Sequence, residues 1–173
     1  MSILIIAVVV LAIIAAVWLM TISINHNQKQ KEQARMLKQF NRLAAAQRIN
    51  LSSQEVLNGT IMGLDGLQRK LLVMKKRGRG TSLSKLIDLS EVTRCSAVRY
   101  YRPFISGAKK NVTPEEQLEK IVLRFQMNEG TAEEVVFYCH YSDPVLEATA
   151  LANKARHWET LITKLQGSVR QIA

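Results

Sequence analysis

The chain has 173 residues, 24 of them lysine or arginine and 14 acidic, for a formal net charge of +10. At the usual ~100–150 residues per domain it builds one small core once an apolar N-terminal run and a polar stretch are set aside, which excludes a multidomain protein. The charge is local: His26 to Lys110 holds 18 basic and 5 acidic side chains, whereas Asn111 to Ala173 holds 6 and 9, a skew that favours an anionic partner over general solubility.

From Ile3 to Ile24 no residue is charged. As a helix rising about 1.5 Å per residue, this run matches the ~30 Å hydrocarbon layer, and it predicts a transmembrane anchor over residues 1–25. Trp18 lies near its C-terminal end, where an indole suits the interface. A cleaved signal peptide, the competing reading, needs a basic leading segment, and only Met1 and Ser2 precede the run. Lys29, Lys31, Arg35, Lys38 and Arg42 follow within one short segment, opposed only by Glu32. The positive-inside rule then places the N-terminus outside and the rest in the cytoplasm, a single-pass protein of the inner or plasma membrane. Cys95 and Cys139 fit a reducing compartment as small core residues. The sequons at Asn58 and Asn111 would not meet the glycosylation machinery there.

Residues 26–54 read as a basic helical stalk, rich in Gln, Lys, Arg and Ala and free of Gly and Pro. Met36, Phe40 and Leu43 form a short apolar stripe, but Gln47 and Asn50 occupy the next seam positions, so a coiled coil stops after about one heptad. The stalk is either a basic helix on anionic headgroups or a solvated spacer with a docking stripe.

Residues 55–173 read as an α+β domain. Thr60–Leu64 and Arg69–Met74 flank Asp65-Gly66, a hairpin cue. Residues 77–82 are a loop, followed by strands at Lys85–Leu89 and Val92–Tyr101, then a polar loop from Pro103 to about Glu116. Ile121, Leu123, Phe125 and Met127 alternate with polar neighbours, as do Val135, Phe137, Cys139 and Tyr141, which predicts an antiparallel hairpin with one buried face. Asp143 and Pro144 open a helix whose stripe is Ala148, Leu151, Ala155, Trp158, Ile162, Leu165 and Val169. The expectation is a small antiparallel sheet or partly open barrel of about six strands, closed by a C-terminal amphipathic helix.

With Trp158 on that helix, the pattern over residues 55–166 resembles the pleckstrin-homology-like superfold, in which seven strands are closed by a C-terminal helix and a tryptophan packs into the sheet. The resemblance implies a binding module for anionic lipid heads, peptides or partner proteins. Lys70, Lys75, Lys76, Arg77, Arg79 and Lys85 are similar to the basic strand and loop with which lipid-binding members hold phosphates, although those members concentrate such residues around the first loop.

No catalytic constellation emerges. Cys139 and His140 are strand neighbours facing opposite ways, so they make no nucleophile–base pair, and with Cys95 they lack the close paired spacings of a zinc site. Gly78-Arg79-Gly80 is no nucleotide-binding loop. His157 reads as a helix-surface residue. Tyr100, Tyr101 and Phe104 beside Arg99 and Arg102 suit a half-buried strand end better than base stacking, so nucleic acid is not an expected partner. The expectation is a non-enzymatic, cofactor-free module at the membrane that contacts anionic inner-leaflet lipid or recruits a protein. The alternative is an accessory subunit of a larger membrane assembly.

Overall fold

The computed structural model of the chain describes residues 30–57, 59–77, 81–102 and 117–170. The chain divides into two compact units, with the boundary between Leu43 and Ala44.

Helix α1 covers 30–46 and crosses that boundary. In the first unit Phe40 is buried and Met36, Leu37 and Leu43 are half-buried. The helix stops at a Schellman motif rather than running on to residue 50. Arg48 takes the left-handed conformation (φ 55°), its N–H bonds the Ala45 carbonyl at 3.1 Å, and the Ile49 N–H bonds the Ala44 carbonyl at 2.9 Å. Ala44 and Ile49, the apolar pair that accompanies such a cap, are both buried.

Among the described residues the second unit holds seven antiparallel strands: β1 (Ser53–Leu57), β2 (Thr60–Asp65), β3 (Lys70–Lys76), β4 (Ser82–Asp88), β5 (Val92–Tyr101), β6 (Leu118–Met127) and β7 (Ala132–Cys139). A short 3₁₀ turn, Val145–Glu147, leads into helix α2, Ala148–Arg170. The strands form two sheets, β1-β2-β3-β4 and β5-β6-β7. This corrects the expected single sheet or barrel of about six strands. The division has a local cause at the end of β4. Asp88 Oδ1 accepts from both the backbone N–H (2.9 Å) and the hydroxyl (2.6 Å) of Ser90, and the Glu91 N–H bonds the Asp88 carbonyl at 3.3 Å. The chain turns there, and β5 takes β6 as its partner instead of continuing alongside β4.

The transmembrane expectation is also corrected. Among the described residues no helix is long and apolar enough to cross a membrane, and residues 3–24, on which that expectation rested, lie outside them.

The core of the second unit is shared by both sheets and α2. Met62, Leu64, Leu71 and Ile87 come from the four-stranded sheet, Cys95, Ile121, Leu123, Phe125, Val135 and Phe137 from the three-stranded one, and Ala148, Leu151, Ala155, Trp158 and Ile162 from α2. The helix stripe follows the 3.6-residue period, and α2 packs on β5, β6 and β7. β7 departs from simple alternation. Ile121 pairs with Tyr138 while Val122 pairs with Val136, so Phe137 is the extra residue of a bulge. The bulge moves the residues beyond it by one face: Tyr138 is fully buried, Cys139 only half-buried, and Tyr141 exposed. The expected inward set beyond Phe137 is thereby exchanged.

Asp143 also acts differently from the expected cap. Its Oδ2 accepts from the Cys139 N–H at 2.7 Å, tying down the end of β7, and Pro144 is the residue that precedes the 3₁₀ turn.

Candidate functional site

β3 carries Lys70, Lys75 and Lys76, three of the six cations singled out around it in the sequence, and the strand separates them into two groups. Lys70 and Lys76 stand at opposite ends of the strand, about 20 Å apart at ~3.4 Å per residue. Lys70 is flanked in register by Asp65 on β2 and Asp88 on β4. The Asp65 carboxyl lies below its ordinary range, chiefly because the Gln68 N–H donates to it, with Lys70 as a further, smaller cause. The Ser90 hydroxyl does the same for Asp88, again with help from Lys70. Lys85 is ion-paired with Glu133 of β7. Lys70 and Lys85 are therefore charge-compensated inside the fold.

Lys75, Lys76 and Arg77 are all exposed, at the end of the sheet where β3 turns into β4. Their backbone is fixed on both sides. The Lys76 N–H bonds the Gly59 carbonyl at 2.7 Å, and Gly59 sits at φ 72°, a conformation glycine adopts freely. The Arg77 N–H bonds the Thr81 carbonyl at 2.8 Å, and the Thr81 hydroxyl returns a bond to the Arg77 carbonyl. Arg79 falls outside the described residues. Across the ladder Lys75 pairs with Leu83, whose side chain is 58% exposed. One tip thus presents three cations and a bare leucine, a pairing that the sequence did not single out.

A second basic surface lies on α1. Lys31, Arg35, Lys38 and Arg42 are all exposed and recur at spacings of four, three and four. At about 100° per residue they form one stripe, roughly opposite the one carrying Met36, Phe40 and Leu43. Lys29 precedes the described residues.

The outward face of the three-stranded sheet holds a compensated network. Glu134 Oε1 accepts from the Tyr100 hydroxyl at 2.9 Å and from Arg124 Nε and Nη2 at 3.0 and 2.7 Å, and Lys120 Nζ reaches Glu134 Oε2 at 3.3 Å. Arg124 also donates to the Tyr100 oxygen, and Lys120 lies 4.3 Å from the centre of the Tyr100 ring. Arg124 holds the Glu134 carboxyl below its usual range. Beneath lies an apolar row, Val98, Val122 and Val136, paired in register with Val122 fully buried. Tyr100 is thus occupied by its neighbours and offers no free ring for stacking. Tyr101 is 48% exposed, and Arg102 lies 6.0 Å from the centre of the Tyr141 ring. Phe104 lies outside the described residues.

Burial, aided by nearby Glu159, pushes the Cys95 thiol up to about 12, which suits a core residue. Among the described residues no group of three or more His, Cys, Asp or Glu could hold a metal ion.

Cavities between described residues of the second unit bear on the site. One, of about 470 Å³, lies between β4 and the β6–β7 hairpin and includes the compensated Lys70 and Lys85. The other, of about 630 Å³, lies between the β2–β3 turn, the start of β5 and the C-terminal half of α2. Its lining includes Arg69 and Arg94, neither of which was among the cations singled out in the sequence.

Comparisons of the chain with family models, with curated proteins and with solved structures found no match.

Proposed function

We propose that this chain is a non-enzymatic binding module that works at the cytoplasmic face of the cell membrane, where its basic surfaces contact anionic lipid headgroups. The observation that carries the reading is the tip: Lys75, Lys76 and Arg77 are exposed together at one end of the four-stranded sheet, beside Leu83. Cations next to an exposed apolar side chain suit the membrane interface, where the charges meet headgroups and the leucine meets the acyl boundary. Each basic residue near such a surface contributes about 1 kcal/mol, so the tip and the α1 stripe reach useful affinity only together.

The likeness to pleckstrin-homology-like modules supports the same reading at the level of the fold, because seven antiparallel strands followed by one closing helix is the element count of that superfold.

Vesicle co-sedimentation tests the proposal. Binding to anionic but not neutral vesicles, lost when Lys75, Lys76 and Arg77 are changed to Ala, is the expected result. Equal, negligible sedimentation of both proteins would reject lipid contact and leave recruitment of a protein partner as the better account.

A further inference from the structure

The 630 Å³ cavity stands apart from the basic tip. Arg69 immediately precedes β3 and Arg77 immediately follows it, so the two are about 27 Å apart at ~3.4 Å per residue. Two departures from regular backbone converge on this cavity, and each carries an arginine. Arg69 holds the left-handed conformation at φ 55°, which strains a non-glycine residue. Arg94 follows a bulge in β5, where Val92 pairs with Met127 and Arg94 with Gln126, leaving Thr93 as the extra residue. Bulges of this kind re-aim a side chain.

Arg69 and Arg94 both line the cavity, and among the described residues neither is in an ion pair. Several neutral groups nearby are already engaged. The Gln166 amide donates to the Val92 carbonyl at 2.8 Å, the Thr93 hydroxyl to the Gln126 carbonyl at 2.9 Å, and the Ser90 hydroxyl to Asp88. The side chains of Asn128 and Thr163 line the same space and can add donors. The floor is apolar, from Leu89, Val92 and Leu165. Glu159 contributes one carboxylate, so the lining carries a formal excess of one positive charge.

From this arrangement we infer that the cavity between the β2–β3 turn and α2 is a binding site for a phosphate-bearing ligand, held by Arg69 and Arg94. Two guanidiniums present rigid forks of N–H donors that match phosphate oxygens, and Asn128 and Thr163 fit the remaining acceptors. Glu159, also in the lining, brings a carboxylate that can accept from a hydroxyl or amine on the rest of the ligand and that weakens binding of a bare anion. The phosphate could be free in solution or borne by a lipid, and the experiment separates the two.

The test follows the arginine Nε–H signals of the isotope-labelled full chain in neutral detergent by NMR. One arm adds inorganic phosphate against chloride at matched ionic strength, and the other adds phosphatidic acid to the detergent. Saturable shifts of Arg69 and Arg94 with phosphate assign a soluble ligand, and shifts with phosphatidic acid alone assign a lipid-borne one. Arg69→Gly removes one fork while relieving the backbone strain, so it folds at least as well as the parent, and about a tenfold loss of affinity is expected from it. Arg48→Gly relieves a comparable strain elsewhere and leaves affinity unchanged, while Glu159→Gln tightens phosphate binding. Shifts no larger than those with chloride in both arms, or equal affinity in Arg69→Gly, would overturn the assignment.

Discussion

Lys75 and Leu83 face one another across the β3–β4 ladder, a cation and a 58% exposed leucine at the same end of one sheet. A second bare leucine, Leu67, is 90% exposed at the far end of β3, in the β2–β3 turn. The two are chemically identical and differ in their neighbours. If the tip meets the membrane, Leu83→Asn weakens binding to anionic vesicles severalfold, because it withdraws ~1–2 kcal/mol of apolar contact, and Leu67→Asn leaves it unchanged. Vesicle titration of the two variants against the parent makes the comparison. Equal effects would mean that exposure alone, not position at the tip, governs association.

Asp65 organises the β2–β3 turn and fastens the end of α1 to it. Its Oδ1 accepts from the N–H groups of Leu67 and Gln68 at 2.9 and 2.8 Å, and its Oδ2 accepts from the Asn50 N–H at 2.8 Å. The side chain is buried. Asp65→Ala should therefore cost about 2–4 kcal/mol, since it leaves three backbone donors without their partner. The backbone donor of Gln68, then those of Asn50 and Leu67, hold the folded carboxyl below 3.8, against the opposing effect of burial. The sign follows directly: the stabilisation is complete above the unfolded value and is lost as pH falls through the lower folded one. Denaturant midpoints between pH 6 and strongly acidic conditions should fall less steeply in Asp65→Ala than in the parent.

Arg48 ends α1 in a conformation that glycine adopts without penalty. Arg48→Gly should raise stability by up to about 1 kcal/mol, the relief of left-handed strain outweighing the greater freedom of glycine in the unfolded chain. Chemical denaturation measures this. A loss of stability would show that the Arg48 side chain contributes more than its backbone strain removes.

Tyr138 is fully buried, and among the described residues its hydroxyl has no hydrogen-bond partner. Burial, then the nearby Asp143, shifts its ionisation above the ordinary range, so it stays neutral in use. Removing the hydroxyl leaves the ring's packing intact, so Tyr138→Phe should be neutral or stabilise by ~1 kcal/mol, read from thermal or denaturant unfolding.

The parts of the fold legible in the sequence are those set by strong local periodicity. The α2 stripe through Trp158 and Ile162, and the β6–β7 hairpin as far as Phe137, follow from spacing alone. β1 was missed because Ser53 and Gln54 were assigned to the end of the helical stalk and the first strand was placed at Thr60–Leu64. It is an edge strand with partly exposed alternation, held by pairing with β2 and by the 2.8 Å Lys154–Glu55 ion pair to α2. The bulge at Phe137 is a matter of register, and no local signal announces which residue of a hydrophobic run is skipped. The division into two sheets depends on the Asp88–Ser90 turn, whose side-chain bonds resemble those of any surface loop. At the candidate site, the run Lys75-Lys76-Arg77 was visible as a run. That Lys70 and Lys85 are compensated depended on register with Asp65 and Asp88 and on contact with Glu133. Arg69 and Arg94 became notable only through backbone conformation and a shared cavity.

The central claim rests on the basic tip, and its most direct test is co-sedimentation of the chain from His26 onward, so that the uncharged N-terminal run contributes nothing to vesicle association. Parent and Lys75→Ala/Lys76→Ala/Arg77→Ala proteins are compared on neutral and anionic vesicles across salt concentrations. The account predicts that the parent binds anionic vesicles alone, that binding falls as salt rises, and that the triple variant loses most of it. Retention of full, salt-sensitive binding by the triple variant, or no binding by either protein, would contradict it.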